Sequence, residues 1–525
     1  MSRERLAPSF TVVVPQSFWY LPHILFRADE ISWASVTNAS GPRQVAAGVN
    51  TSSGKHLSTL TATERRVKLD LGYFGFFGNY RKDSDMYFDV LLVVVIATAV
   101  TLTALWLYPV SLAARSWLFL RKPGSRAGSP YSPSVALIVP CKGLDQGFEA
   151  NMVAILSQDY PDYRVICVTA TADDPAHAVL KRLVKHAPRA TLLTAGISNR
   201  RGQKINNMLS GIVSAGKVEV LAFVDSDAKP DPAWLRSLVS PLVDPRIGAT
   251  TGYLWYRPER GGLWSWARAY AANLSSLHMA HAGNRGLWGG AMAIRREVFD
   301  QARVAEGWEE AVSDDSVMSK RVRRLGLRLA FVPACLTTIV EDCDLGGFYE
   351  FVKRHFVLVR ACEPPLWRSL GASLVVLAAL VLAGTMGLAL WSVLPWVSPL
   401  GAILLLQVPL LGGFGGLVLV VVFGDARTAR WAALAPLILG VLIAAFAASA
   451  LTRNICWRGV SYELLSSERA TVRGQVQLSR LPHSWYSRLQ LQQLRFPLAR
   501  RHIERYPLSR NLVYSARLAF NRLRK

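Results

Sequence analysis

The sequence predicts an α/β domain with a mostly parallel sheet, joined to transmembrane helices. Between residues 134 and 365, short apolar runs typical of buried strands alternate with stretches at helical spacing. This order is typical of a parallel sheet that helices cover on both faces. Long apolar blocks lie outside this region, and a mean hydropathy of +0.23 with 51% hydrophobic residues is high for a soluble protein. The blocks are therefore interpreted as membrane spans.

The chain begins with a region, residues 1–86, whose role the sequence does not define. A transmembrane helix is predicted over 87–113, because 90–108 contains no charged residue and is long enough to cross a bilayer. Acidic and basic residues are mixed before this block, whereas only basic residues lie just after it. Since positive flanks favour the cytoplasm, the domain that follows is expected to be cytoplasmic.

Four strands and three helices are predicted in the first half of the domain. The strands are apolar runs bounded by polar residues, and the helices have apolar residues at helical spacing. The predicted strands are 135–139, 164–168, 191–194 and 220–224, and the predicted helices are 148–157, 175–185 and 204–213.

The fourth strand ends directly in an acidic loop that contains Asp225 and Asp227. In an open α/β sheet, ligands bind at the carboxyl ends of the strands. Mg²⁺ typically takes one or two carboxylates together with substrate phosphates. The pair therefore predicts a site for a divalent cation and a diphosphate, with a solvated acidic turn as the alternative.

Other polar clusters occupy comparable positions in the same domain. A nucleotide-sugar site needs carboxylates, a lysine near the phosphates and a general base for the acceptor hydroxyl. Taken alone, Lys204 is more typical of a surface lysine and an Asp pair of a helix cap, but their joint order favours a site. The clusters are Pro140 with Lys142, Asp173 with Asp174, Lys204 with Asn206 and Asn207, and Asp314 with Asp315.

On these motifs the segment 135–365 resembles family 2 glycosyltransferases with the GT-A fold. Within that group it is similar to ceramide glucosyltransferases and their bacterial hopanoid-associated relatives. The pairing of Pro-x-Lys-Gly with Lys-Ile-Asn-Asn is fairly specific, whereas Asp-x-Asp is generic. The matching stretches are 139–146, 158–161, 173–176, 204–207, 225–227, 290–292 and 314–315.

The resemblance implies a role for each matching residue. Asp225 and Asp227 would hold a divalent cation, Mg²⁺ or Mn²⁺, with Asp227 the more direct ligand. Asp315 would be the base that deprotonates the acceptor, and Arg354 would face the diphosphate leaving group. The implied nucleotide-sugar-binding residues are Pro140, Lys142, Asp173, Asp174, Lys204 and Asp225.

The family's closing motif, Gln/Arg-x-x-Arg-Trp, is altered in this chain. The matching window is 351–355, where Phe351 replaces Gln and His355 replaces Trp. The change leaves the acceptor, the donor and activity itself open. His355 is assigned to the acceptor side, together with Trp264 and Trp266 as an interfacial lip. For the two tryptophans, a helix that packs on the sheet is the alternative.

Three further membrane helices are predicted over 370–451, and residues 452–525 form a basic, partly amphipathic tail. The tail has 15 Lys and Arg against three Glu, which gives half of the net charge of +24. A basic segment beside apolar spans is expected to meet anionic lipid headgroups rather than nucleic acid.

The sequence therefore predicts a multi-pass, membrane-bound, inverting glycosyltransferase with a cytoplasmic catalytic domain. The donor is expected to be a UDP-sugar, with glucose the favoured hexose, and the acceptor a lipid hydroxyl such as that of ceramide. The alternatives are a processive polysaccharide synthase and a catalytically inactive membrane scaffold or lipid-binding protein.

Overall fold

The computed structural model describes residues 83–120, 131–259, 261–280, 286–390, 393 and 398–475. The region 1–82, the linker 121–130 and the predicted amphipathic stretch of the tail lie outside the described residues. By its internal contacts the chain divides into two units, Met1–Trp106 and Leu107–Lys525. The sheets and the site described below belong to the second unit.

The helices and strands alternate along the chain as the sequence predicts, and the predicted strand and helix bounds agree with the structure to within two residues. The first part contains α1 (Asp83–Leu120), β1 (Val135–Pro140), α2 (Phe148–Leu156), β2 (Tyr163–Thr169), α3 (Pro175–Lys185), β3 (Ala190–Thr194), α4 (Gln203–Ser214), β4 (Val220–Val224) and α5 (Trp234–Val239). The second part of the domain contains β5 (Ile247–Tyr256), α6 (Leu263–Ser275), β6 (Ala291–Arg295), α7 (Arg296–Gln301), α8 (Val304–Gly307), α9 (Asp314–Arg324), β7 (Arg328–Ile339) and α10 (Leu345–Cys362). The C-terminal part contains α11 (Pro364–Ala389), α12 (Ser398–Phe423), α13 (Ala426–Ala429), α14 (Ala435–Leu451), β8 (Asn454–Trp457), β9 (Val460–Leu464) and β10 (Ala470–Gln475).

Seven strands form the central sheet in the order β3-β2-β1-β4-β6-β5-β7. Strand β6 runs antiparallel to β4 and β5, and the other neighbouring strands are parallel. The predicted fold class, a mostly parallel α/β sheet with membrane helices, is confirmed. The carboxyl ends of β1, β2 and β4 meet at one edge, where ligands bind in such sheets.

Strand β1 shows why this sheet is buried on both faces. Successive side chains of a strand point to opposite faces. Val135, Leu137 and Val139 join the apolar cluster that includes residues of α2, α3 and α5. Ala136 and Ile138 join the opposite cluster, formed with α4, α7 and α9. A strand with apolar neighbours on both sides needs a continuous apolar run, which is the pattern of 135–139.

Four helices in the described residues are long and apolar enough to cross a membrane: Leu92–Leu120, Pro364–Ala389, Ser398–Phe423 and Ala426–Leu451. Gly384 and Gly401 let α11 and α12 approach closely, because a Cβ on Gly384 would lie 2.8 Å from the Gly401 carbonyl oxygen. The α/β domain packs on these helices through α6 and α10. Phe348 and Tyr270, for example, share an apolar cluster with Leu419 and Ile438.

The assignment of residues 452–525 to a tail needs correction for its first third. Strands β8, β9 and β10 form a separate antiparallel sheet. Ile455, Val460 and Tyr462 of this sheet are buried against Val312 and Val357 of the domain. The basic composition of the whole tail hid the alternation of apolar residues in this part.

Candidate active site

A cleft of about 160 Å³ opens at the carboxyl ends of the strands. Its walls come from the loops after β1 and β4, the beginning of α4, the ends of β5 and β7, helix α10 and the turn between β8 and β9. The residues that line the cleft include Pro140, Lys142, Lys204, Asp225, Asp227, Tyr256, Arg354, His355, Trp457 and Arg458. Seven of the twelve residues to which the sequence assigned a site role therefore line one cleft.

Asp225 and Asp227 follow β4 directly, and each contacts a positively charged side chain. Asp225 Oδ1 lies 2.8 Å from Lys204 Nζ, and Asp227 Oδ2 lies 3.1 Å from the guanidinium of Arg458. The other oxygen, Asp227 Oδ1, is buried and has no hydrogen-bond donor among the described residues. Burial and the Asp145 carboxylate raise the pKa of Asp227 to about 7, although Arg458 opposes the shift. An unsatisfied carboxylate oxygen in this position fits a cation ligand.

Lys204 connects three parts of the site. Besides Asp225, its ammonium group lies 3.2 Å from Asp314 Oδ2 and donates to the Gly289 carbonyl oxygen at 3.0 Å. Burial alone lowers the pKa of Lys204, but the two carboxylates raise it above its ordinary value. The lysine is therefore protonated at neutral pH.

Asp314 and Asp315 begin α9 and have different surroundings. Asp314 is 2% exposed, and burial raises its pKa to about 6 while Lys204 lowers it. Asp315 is half-buried, and its Oδ2 accepts from the Gly289 backbone N–H at 3.1 Å. Its Oδ1 accepts from the Ser316 N–H and from the Ser313 hydroxyl, both at 2.7 Å. Neither Asp315 nor Gly289 lines the cleft, but Gly289 directly follows the lining residue Trp288.

Asp173 and Asp174, predicted to face the nucleotide, lie outside the cleft lining. Asp174 caps α3 by accepting from the Ala176 N–H at 2.9 Å, and it accepts from the Gly143 N–H at 2.8 Å. It thereby fixes the loop that presents Lys142. Asp173 is exposed in the preceding turn. In this structure Asp174 alone holds the loop after β1 in place.

Arg354 and His355 lie on α10 and face the cleft. The Arg354 guanidinium is framed by aromatic rings, 5.9 Å from the centre of Phe351 and 5.7 Å from the centre of Trp457. His355 Nδ1 lies 2.7 Å from the Phe351 carbonyl oxygen, which only accepts, so Nδ1 carries the proton and Nε2 is the acceptor. Desolvation and the adjacent Arg354 lower the pKa of His355 below its ordinary value, although the residue is exposed, so its imidazole is neutral at pH 7.

Trp264 and Trp266, assigned to an acceptor lip, lie on α6 away from the cleft lining. Trp266 is 6% exposed and stacks on Trp431 at 5.6 Å between ring centres. Trp264 packs in the apolar cluster that joins α6 to the membrane helices. Their position corresponds to the alternative of a packed helix, because Trp266 packs against β5 of the sheet and Trp264 packs in the cluster that contains Leu419 of α12 and Ile438 of α14.

Sequence reasoning missed the residues that the turn after β8 brings to the cleft. Trp457 and Arg458 line it, and Arg458 also pairs with Asp145, 2.8 Å away. A signal was present, since Gly459 lies between two runs of alternating apolar residues, as in a two-residue hairpin turn. Their position about 90 residues after the domain, beyond three spans, concealed the contact.

A family model for "Glycosyl transferase family 21" matches residues 90–470, which is most of the chain. The chain therefore belongs to glycosyl transferase family 21, and the predicted resemblance to ceramide glucosyltransferases is confirmed. A ceramide glucosyltransferase of Komagataella phaffii is 28% identical over 134 residues. That match covers 23% of this chain and 26% of the relative, so it spans about a quarter of the relative's length.

Two solved structures are similar at low identity. A mannosyltransferase of Pyrobaculum calidifontis in complex with GDP-Man and Mn²⁺ has a TM-score of 0.42 and 20% identity, over 67% of this chain and 97% of that one. Glucosyl-3-phosphoglycerate synthase of Mycobacterium tuberculosis, in complex with Mn²⁺, UDP and its product, has a TM-score of 0.30 and 18% identity. That likeness covers 44% of this chain and 80% of the synthase.

Proposed function

We propose that this chain is a membrane-bound, inverting glycosyltransferase that moves a hexose from a UDP-sugar to the hydroxyl of a membrane lipid. The charge of the cleft carries the proposal. Its lining has four cationic side chains, Lys142, Lys204, Arg354 and Arg458, against two carboxylates, Asp225 and Asp227. Four cationic side chains that converge on one cleft beside two carboxylates complement the diphosphate of a sugar nucleotide bound together with a divalent cation.

The residues present fit a divalent cation that shares its ligands with the donor. No group of three or more His, Cys, Asp or Glu side chains in the described part of the chain could hold a metal ion by itself. Two carboxylates with phosphate oxygens are a usual set for Mg²⁺, and the buried Asp227 Oδ1 supplies a free ligand atom. When bound, such a cation supplies neutralising charge for the diphosphate as it leaves.

The chain's own residues account for the remaining steps. Arg354 and Lys204 face the position of the diphosphate and stabilise its developing charge. Asp315 contacts Gly289, next to the lining residue Trp288, and we assign it as the base that accepts the proton of the acceptor hydroxyl as that oxygen attacks the sugar carbon from the side opposite the diphosphate. His355 presents Nε2 as a hydrogen-bond acceptor, which suits a hydroxyl group better than the tryptophan of the usual motif. A single displacement of this kind inverts the configuration at the sugar carbon.

A lipid acceptor is supported by the connection between the cleft and the membrane helices. Apolar side chains line the part of the cleft near α10, namely Leu254, Tyr256, Ile339 and Phe351. Helix α10 packs on α14, which belongs to a candidate span. An acceptor held in the bilayer would therefore reach the site with only its headgroup outside the membrane. Because one relative is a ceramide glucosyltransferase, a ceramide-type lipid as acceptor and glucose as the sugar are the first pair to test.

Membranes from cells that produce the chain, incubated with UDP-[¹⁴C]glucose and extracted for lipids, test this proposal. Label is expected in a lipid fraction with the wild-type chain and with the control Asp300→Asn, an exposed substitution on α7. Asp227→Asn is expected to abolish it, while GDP-[¹⁴C]mannose should label nothing. Equal labelling with Asp227→Asn, or no labelled lipid from any UDP-sugar, would overturn the proposal.

A further inference from the structure

The turn between β8 and β9 has an unusual backbone for an arginine. Trp457 pairs with Val460, so Arg458 and Gly459 form a two-residue turn, with φ of 47° and 76°. Positive φ at both positions is typical of a type I′ hairpin turn, where Asn, Asp or Gly is usual at the first position. Arg458 is one of only two non-glycine residues with positive φ among the described residues, and the other is Arg303. Such strain is concentrated at functional sites.

The Arg458 side chain crosses the cleft and joins two loops of the catalytic domain. Its guanidinium donates to both oxygens of Asp145, at 2.8 and 3.0 Å, and to the Lys142 carbonyl oxygen at 3.1 Å. The other terminal nitrogen donates to Asp227 Oδ2 at 3.1 Å. Arg458 therefore lies directly beside the proposed cation ligand.

The hairpin that carries Arg458 is held firmly in place. The Tyr462 hydroxyl accepts from the Gln203 N–H at 3.1 Å, which ties β9 to the first turn of α4. The ring of Trp457 lies between two other cations, 5.9 Å from Lys204 Nζ and 5.7 Å from Arg354 Cζ. The turn therefore occupies the centre of the cationic group that faces the proposed diphosphate.

We propose that Arg458 is a diphosphate-binding residue of the donor site, supplied by the C-terminal sheet. The inference rests on the proposed function of the cleft. Guanidinium groups bind phosphate oxygens in a bidentate manner. Phosphate oxygens that shared a cation with Asp227 would come close to the guanidinium nitrogen that donates to Asp227 Oδ2 in the structure. Residues 454–475 are then part of the active site, although membrane helices separate them from the rest of it in sequence.

A purely structural role for Arg458, as a clamp between Asp145 and Asp227, is the alternative. The two roles predict different effects on the binding of UDP and of uridine. A diphosphate contact affects binding of UDP but not of uridine, whereas loss of a clamp distorts the whole cleft and affects both. Arg303→Gln is a matched control, because Arg303 also has positive φ but is exposed and pairs with Glu306 on α8.

The experiment measures binding of UDP and of uridine to the full chain in nanodiscs by calorimetry, with and without Mn²⁺. Arg458→Gln is expected to weaken UDP binding by about 10-fold or more, the equivalent of one charge-assisted hydrogen bond, while uridine affinity changes less than about twofold. Arg303→Gln should match the wild type. Arg458→Lys, which keeps the charge, should show a smaller loss of UDP affinity. It is the variant to measure if Arg458→Gln does not fold.

The outcomes separate this inference from the proposed function. If the wild type binds UDP and both Arg458 variants bind it with the same affinity, the diphosphate role is overturned and the proposed function stands. Equal weakening of UDP and uridine would assign Arg458 to the clamp. A wild-type chain that binds no UDP would overturn the proposed function and, with it, this inference.

Discussion

Replacing Asp315 by Asn separates the proposed chemical role of this carboxylate from its structural role. The substitution keeps the size of the side chain and an oxygen that can cap α9. It removes the basicity that a general base needs. The hydrogen bonds around Asp315 determine how much stability the variant loses, and the transfer rate measures how much catalysis it loses.

The structural cost follows from the partners of the two oxygens. If the amide oxygen takes the place of Oδ1, it still accepts from the Ser316 N–H and the Ser313 hydroxyl. The amide nitrogen then faces the Gly289 N–H, which donates to Oδ2 in the structure. Leaving that donor unsatisfied costs about 1–3 kcal/mol of stability. Loss of general-base catalysis lowers the transfer rate by about 10²–10⁴, equivalent to about 3–5 kcal/mol in the barrier.

The assay compares kcat for glucose transfer, UDP affinity and thermal unfolding for Asp315→Asn and Asp314→Asn. We expect Asp315→Asn to lose kcat by the factor above with UDP affinity little changed, and Asp314→Asn to lose less than about tenfold. If Asp314→Asn abolishes transfer and Asp315→Asn does not, the base assignment is wrong by one residue.

Three further predictions concern stability and topology. Lys204→Met leaves Asp225 and Asp314 near each other without their shared cation and should destabilise the domain by about 3–5 kcal/mol at pH 7.5. Thermal unfolding should show a smaller loss at pH 5, where Asp314 is protonated, and equal losses at both pH values would contradict the charge argument. Because the folded pKa of Asp314 is raised to about 6 from 3.8, its stabilising contribution is present below pH 3.8 and is lost as the pH rises through 6. Asp314→Asn should therefore flatten the decline in unfolding free energy between pH 4 and 6, and an unchanged slope in urea titrations would count against the shift. Finally, the exposed thiol of Cys456 should react with a membrane-impermeant maleimide only in opened cells, with Cys456→Ser as the control. Labelling in intact cells would place the C-terminal sheet, and the cleft it lines, outside.

Local patterns in the sequence predicted the parts of the fold that depend on neighbouring residues. The apolar run before Asp225 became the central strand β4 because each of its faces meets a separate apolar cluster. Asp174 with Pro175 predicted the start of α3, and the side chain of Asp174 does cap that helix. The apolar blocks predicted the candidate spans, since length and hydropathy alone define them.

Contacts between residues that are far apart in the chain could not be predicted from the sequence. Arg458 and Asp145 are 313 positions apart, and no local pattern relates them. The two tryptophans of α6 also show the limit, because a face rich in aromatic residues suits a membrane interface and a packed core equally well. Only the position of α12 and α14 distinguishes these outcomes. The roles assigned to Asp315, Arg354 and His355 stay predictions.

The central claim is that Asp225 and Asp227 form a cation site completed by the diphosphate of the donor. Titration of Mn²⁺ into the purified full chain, with the free ion followed by electron paramagnetic resonance, measures this directly. With UDP present we expect one tightly bound Mn²⁺ per chain, a loss of affinity of at least about tenfold in Asp227→Asn, and no change in Asp300→Asn. Mn²⁺ binding that is equal in Asp227→Asn and the wild type, or that does not depend on UDP, would contradict the account.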